Sequence, residues 1–220
     1  AVFRGGHQIA ESRVVDQGLT KKDALEKSIE MLRLTGIPSP EKRVHDFPHQ
    51  MSGGMRQRVM IAMALCCRPE LLIADEPTTA LDVTIQAQIL DLMLELREQL
   101  GTAIIMITHD LAVVAEMADR AVVMYCGKLV EEAPVLELFD NPLHPYTRGL
   151  LKSIPHIYDN KERLYMIEGM VPALTDLPAG CAFAPRCPEV QPRCHVERPT
   201  LKEISPGRRV SCRLHEGGVR

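Results

Sequence analysis

The sequence predicts an α/β protein built on a parallel sheet, and three observations carry that prediction. Strand-like and helix-like segments alternate through residues 55–125, the pattern of parallel strands joined by crossover helices. The strand candidates, LLIA, AIIMI and AVVM, are continuous apolar runs, as expected of strands buried on both faces. A Ser-Gly-Gly turn opens one helix, and two adjacent carboxylates close the strand after it. That places polar chemistry at the strand ends, where open parallel sheets bind ligands.

The elements follow in order. The first nineteen residues support a short helix at best, over 7–15. Thr20 opens a stronger one. Asp23, three positions on, makes a capping-box pattern with Asp in place of Glu. Ala24, Leu25, Ile29 and Leu32 recur at helical spacing, and Gly36-Ile37-Pro38 ends the helix. A loop carrying Pro38, Pro40 and Pro48 leads to Ser52-Gly53-Gly54. Helix 55–67, strand 71–74, helix 84–100, strand 103–108, helix 111–118 and strand 121–125 come next. Gly127-Lys128 reads as a turn into an edge strand over 129–131, with a short helix near 135–139. From His144 the character changes. Residues 144–220 hold nine of the sixteen prolines and four of the seven cysteines, with little periodicity. We place a boundary near 155–165.

Composition bounds the function classes. The chain has 220 residues, 45% apolar and 25% charged, with a net charge of −3, and nothing global argues for nucleic acid. The last forty residues are locally basic, with eight Lys/Arg against four Asp/Glu. The longest apolar run, residues 59–67, has nine members, against roughly 18 or more for a bilayer span. The opening residues lack the apolar core of a signal peptide. Together these predict a cytosolic chain with reduced cysteines. The chain starts at Ala1 without an initiator Met, and we expect a fragment.

Three constellations carry chemistry. Asp75-Glu76 ends the strand LLIA. An Asp there suits Mg²⁺, and the following Glu is placed to take a proton from an attacking water. A lone Asp-Glu pair would be a solvated loop; Pro77, Thr78, Thr79 and the downstream pattern favour the site. Ser52 is a good N-cap, and Gly53 and Gly54 allow close backbone approach, so the start of that helix suits a phosphate. Alone, Ser-Gly-Gly is a turn. His109 ends the strand TAIIMIT and could reach a terminal phosphate; in isolation it would be read as a cap for the next helix. The order is that of half a nucleotide-hydrolysing site.

Residues 40–140 resemble the nucleotide-binding subunit of ATP-binding cassette (ABC) transporters. MSGGM is similar to the signature LSGGQ, with Met51 for Leu and Met55 for Gln. LLIADE looks like the Walker B strand with its catalytic Glu, TTALD like the D-loop with Asp82 as its Asp, and ITHD supplies the switch His. SGGMRQRVMIAMAL and HPYTRGLL, at residues 144–151, resemble the oligopeptide and dipeptide importer ATPases. The resemblance implies a partial P-loop NTPase fold. Its helical subdomain would occupy residues 1–55, its RecA-like core 55–155, and a small irregular Cys-rich extension 156–220. It implies a head-to-tail dimer of ATPases, alike or unlike, with ATP at the interface. Ser52, Gly53, Gly54 and Met55 would face the γ-phosphate in the partner's cradle. Asp75 would hold Mg²⁺, Glu76 would polarise the water, His109 would stabilise the reacting phosphate, and Asp82 would bridge the subunits. Two membrane permease subunits and an external solute-binding protein would complete the importer, with this subunit peripheral on the cytoplasmic membrane face. The sequence contains no G-x-x-x-x-G-K-[ST], and the Gln loop is likewise missing. We therefore expect an N-terminally truncated chain, inactive alone. Rival readings are a soluble cassette protein outside transport and a non-hydrolysing metal-binding interaction module.

Cys66, Cys67 and Cys126 fall in apolar patterns and are expected to be buried small residues. Cys181, Cys187, Cys194 and Cys212 sit in the proline-rich tail, separated by five, six and seventeen residues. Thiolates there could hold an iron–sulfur cluster or Zn²⁺, or stay unliganded. Without tight C-x₂₋₄-C pairs the spacing leans to [4Fe–4S], and GCAFAPRCP resembles the cluster-bearing extension of dipeptide-importer ATPases. A bound metal would supply folding energy to a segment poor in large apolar residues.

Overall fold

The computed structural model describes residues 3–79, 81–154 and 165–215. Ala80 of TTALD and the boundary expected near residue 155 lie outside them. The chain divides into two compact units, residues 1–109 and 110–220.

The first unit opens with helices. Helix α1 spans Gly5–Gln17 and α2 spans Lys21–Leu34, and the two pack together. α1 is longer than its sequence suggests because residues 44–46 support its first turn. The Gly5 and Gly6 N–H groups donate to the carbonyls of Asp46 and Val44 at 3.0 and 3.1 Å. A side chain on Gly6 would put its Cβ 2.6 Å from the Val44 carbonyl oxygen, so only glycine permits this approach. α2 is capped as its sequence predicts. The Thr20 side chain accepts from the Asp23 N–H at 3.2 Å and donates to Asp23 Oδ2 at 2.8 Å. A single turn, α3 (Pro40–Arg43), precedes α4 (Gly53–Leu65), which packs on α1 and α2. Arg58 of α4 donates to the Thr35 carbonyl at 2.8 Å and so ties α4 to the end of α2.

Strand β1 (Leu71–Asp75), helix α5 (Val83–Leu100) and strand β2 (Ala103–Ile107) complete the unit. β1 and β2 pair in parallel, Leu71 opposite Ala103 and Asp75 opposite Ile107. α5 buries Ile89, Leu90, Leu92, Met93 and Leu96, one face at helical spacing. The strands are not buried on both faces. Ile73 is 63% exposed, and Leu71, Ile105 and Ile107 are about half exposed. The sheet has two strands among the described residues, so one apolar face has no cover there.

The second unit holds α6 (Leu111–Met117), β3 (Arg120–Tyr125), β4 (Lys128–Pro134), α7 (Val135–Asp140), α8 (Pro145–Lys152), α9 (Pro192–Val196), β5 (Lys202–Ser205) and β6 (Arg208–Val210). β3 and β4 form an antiparallel hairpin in a four-stranded sheet of order β3-β4-β6-β5. β3 is therefore not a parallel strand beside β2, as its apolar run suggests, because an apolar run does not encode strand direction. Its turn places Cys126 and Gly127 at φ 46° and 71°, both positive, the geometry of a two-residue hairpin loop. β4 is no edge strand either. Glu131 and Glu132 pair with Val210 and Arg209 of β6, so the cysteine-bearing tail extends this sheet.

That tail packs through aromatic rings. Phe183 is 2% exposed and meets Tyr125 edge-on at 5.3 Å and Tyr146 at 5.4 Å. Glu131 is fully buried and accepts from the Leu143 and His144 N–H groups, both at 2.8 Å. Arg208 stands 3.6 Å away. His144 caps α8, its Nδ1 accepting from the Tyr146 N–H at 3.0 Å, and Pro145 follows at the first helical position, where its missing N–H costs nothing.

Candidate functional site

Two clusters of the first unit carry the residues read from the sequence. The first surrounds the start of α4. Ser52 is its N-cap, with the side chain accepting from the Met55 N–H at 3.3 Å. Gly53 and Gly54 form the first turn and lie against the segment around Asp82. A Cβ on Gly53 would come within 3.8 Å of Leu81, and one on Gly54 within 2.9 Å of Ile85 Cγ2. Asp82 caps α5 by accepting from the Ile85 N–H at 2.9 Å. The N-terminal ends of α4 and α5 thus meet. The free N–H groups of α4 present a positive end suited to an anion.

The second cluster sits at the C-terminal ends of β1 and β2. Asp75 is the last residue of β1 and is exposed. Glu76 turns out of the strand at φ 46°, a left-handed backbone uncommon for a residue with a side chain. Its N–H donates to the Ile107 carbonyl at 2.8 Å, which joins the turn to β2. Glu76 Oε1 lies 3.1 Å from His109 Nδ1, and Oε2 accepts from the Thr79 hydroxyl at 2.8 Å. The Thr79 and His109 hydrogen bonds hold the Glu76 carboxyl below the usual carboxylate range, so it is ionised at neutral pH. An ionised carboxylate only accepts, so His109 carries its proton on Nδ1 in this contact. His109 does not cap the following helix. Asp110 does so, accepting from the Ala112 N–H at 2.9 Å.

A bond joins the two clusters: Gln57, one turn into α4, donates to the Pro77 carbonyl just after Glu76. Sequence reading missed Gln57 and the role of Thr79. Thr79 could have been suspected from its place three residues after Glu76. Nothing in the sequence signals a bond across twenty residues.

The metal assignment for the tail is overturned. Cys181, Cys187, Cys194 and Cys212 line one small pocket with His144 and Phe183. Among the described residues, however, no three His, Cys, Asp or Glu side chains gather closely enough to hold a metal ion. Neither the iron–sulfur cluster nor zinc is supported. Burial raises the thiols of Cys181, Cys187 and Cys212, the last to about 11, so they are neutral and pack as small apolar groups. Phe183 and the β6 pairing supply the cohesion expected of a metal. All seven cysteines are free thiols. Cys66 is buried, whereas Cys67 and Cys126 are only partly so.

The sequence model of the ABC transporter family matches residues 2–79. That of the oligopeptide/dipeptide transporter C-terminal region matches residues 130–194. The oligopeptide transport ATP-binding protein AppD of Bacillus subtilis is 53% identical over 211 residues, covering 96% of this chain and 64% of AppD. The dipeptide transport ATP-binding protein DppD of Haemophilus influenzae is 52% identical over 215 residues, covering 97% of this chain and 65% of DppD. Among solved structures, cbiO1 of Clostridium perfringens, part of the ABC transporter complex cbiONQ, is 29% identical with a TM-score of 0.56. That match covers 64% of this chain and 55% of cbiO1. The fold is of the ABC ATPase type, mixed helix and sheet with a parallel pair. Residues 2–79 thus resemble the ABC transporter family and residues 130–194 the oligopeptide/dipeptide transporter C-terminal region, and most of the chain is similar to oligopeptide and dipeptide transport ATP-binding proteins. The chain spans just under two thirds of the length of the curated relatives described.

Proposed function

We propose that the chain serves in an ATP-hydrolysing subunit that energises an ABC importer for peptides or related solutes. The observation that carries this reading is the Glu76 carboxylate at the ends of two parallel strands, held by His109 on one oxygen and Thr79 on the other. An ionised, oriented carboxylate beside an imidazole is the apparatus for taking a proton from water attacking a phosphate. The names of AppD and DppD, oligopeptide and dipeptide transport proteins, support peptides as the solute class.

Glu76 is the general base, and His109 orients it and faces the reacting phosphate. The carboxylate of Asp75 is a hard oxygen donor exposed at the strand end, which fits Mg²⁺; when bound, the ion would offset phosphate charge. Ser52, Gly53, Gly54 and Met55 offer the N-terminal end of α4 to the γ-phosphate of a nucleotide held by a second ATPase subunit. Asp82, beside that turn, bridges to the same partner. Residues 1–55 act as the helical subdomain and 55–155 as part of the ATPase core, with residues 156–220 as the extension. Two permease subunits and a solute-binding protein complete the importer. No helix among the described residues is long and apolar enough to cross a membrane, which is consistent with a peripheral place on its cytoplasmic face.

The test is Glu76→Gln in the complete ATPase complex. Turnover should fall by about 10²- to 10⁴-fold, the usual contribution of a general base, while ATP still binds and the closed dimer accumulates. Parental turnover in that variant would remove Glu76 from the reaction.

A further inference from the structure

We propose that Thr79 is a positioning residue for ATP hydrolysis: its hydroxyl, together with the His109 ring, fixes the Glu76 carboxylate in the orientation from which it takes the proton. The inference rests on the reading of Glu76 as the base and adds a residue to it.

The Glu76 side chain is 44% exposed, and an exposed glutamate samples several rotamers unless it is held. One hydrogen bond leaves the carboxylate free to swing about it. Two donors on two different oxygens fix both its position and its plane. Here the donors come from different places. His109 reaches Oε1 from the end of β2 at 3.1 Å. Thr79 reaches Oε2 from the turn after Glu76 at 2.8 Å.

The loop that carries Thr79 is itself anchored. The Thr79 N–H donates to the Glu76 carbonyl at 3.1 Å, folding the hydroxyl back over the carboxylate. The Glu76 N–H is tied to Ile107 of β2. Gln57 of α4 holds the Pro77 carbonyl, and Thr78 between them is 9% exposed. The left-handed backbone at Glu76 is kept by these ties and points to a constrained, purposeful turn. Two donors do not exhaust the carboxylate. An ionised carboxylate has about four acceptor positions, so room remains for a water whose proton Glu76 accepts.

The experiment compares Thr79→Val, which keeps the shape and removes the hydroxyl, with Thr79→Ser, which keeps the hydroxyl. Both are made in the complete ATPase complex, alongside Glu76→Gln and the Thr79→Val/Glu76→Gln double variant. Thr79→Val should lower kcat about ten- to a hundredfold, the worth of one hydrogen bond to a charged group, with the KM for ATP little changed. Thr79→Ser should restore most of the rate. On the Glu76→Gln background Thr79→Val should cost nothing more, because both act through one group. A second readout needs no turnover. Side-chain couplings of Glu76 by NMR should report one rotamer in the parent and in Thr79→Ser, and averaging in Thr79→Val. Full kcat in Thr79→Val, or a fixed Glu76 rotamer without the hydroxyl, overturns the role of Thr79 while a dead Glu76→Gln variant leaves the function standing. Parental turnover in Glu76→Gln overturns the functional reading itself.

Discussion

A buried histidine and a buried glutamate organise the second unit, and neither belongs to the Glu76 cluster. His144 is 1% exposed, and burial, with smaller contributions from Arg148 and His215, lowers its pKa to about 4. The folded chain therefore keeps His144 neutral where the unfolded chain protonates it near its ordinary value of 6.5. The unfolded state binds more protons in that window, so stability rises with pH across it and is lost as pH falls from about 6.5 to 4. The full effect is roughly 3 kcal/mol at the acid end. Urea unfolding followed by tyrosine fluorescence at pH 7, 6 and 5 should show that decline. His144→Asn, which retains an N-cap side chain, should flatten it; an unchanged slope would assign the acid loss elsewhere. HPYTRGLL is legible in the sequence as a family mark, but its physical work is not. Only the fold shows Glu131 collecting the Leu143 and His144 N–H groups while His144 caps α8.

Between elements, α4 and α5 approach closely beside the site. Gly54 leaves no room for a side chain, since a Cβ would stand 2.9 Å from Ile85 Cγ2, and a β-branched neighbour moves little. Gly54→Ala should cost about 1–3 kcal/mol through overpacking despite the better helix propensity of alanine. Adding Ile85→Ala should return part of that loss in urea unfolding, and failure to do so would place the strain elsewhere. The helix-to-strand order and the capping of α2 were legible because periodicity and turn residues are local signals. The carboxylate pair and His109 were legible as motifs at strand ends. Strand partners were not, since pairing is decided by contacts distant in sequence. The direction of β3 follows from its hairpin with β4, the interior place of β4 depends on β6, and the hold of Thr79 and Gln57 on the Glu76 loop depends on how the backbone turns at φ 46°.

At the scale of the whole molecule, the two units carry different optical labels. The chain has no Trp and four Tyr, at positions 125, 146, 158 and 165, all in the second unit. The long helices α1, α2, α4 and α5 belong to the first. Two compact units need not unfold as one. Tyrosine fluorescence and far-UV circular dichroism should give separate urea midpoints, and Phe183→Ala, a core truncation worth about 3–5 kcal/mol, should move the fluorescence midpoint far more than the dichroism. Coincident curves for parent and variant would mean that the units unfold together. The pairing of β4 with β6 also has a consequence in time. Glu132 waits for Arg209, 77 positions further on. At ribosomal rates of about 5–20 residues per second, that wait lasts roughly 4–15 s. Throughout it the β3–β4 hairpin stands with one edge unpaired, and nascent chains on neighbouring ribosomes can pair with it instead. Its sheet is one that translation leaves open until β6 has been made.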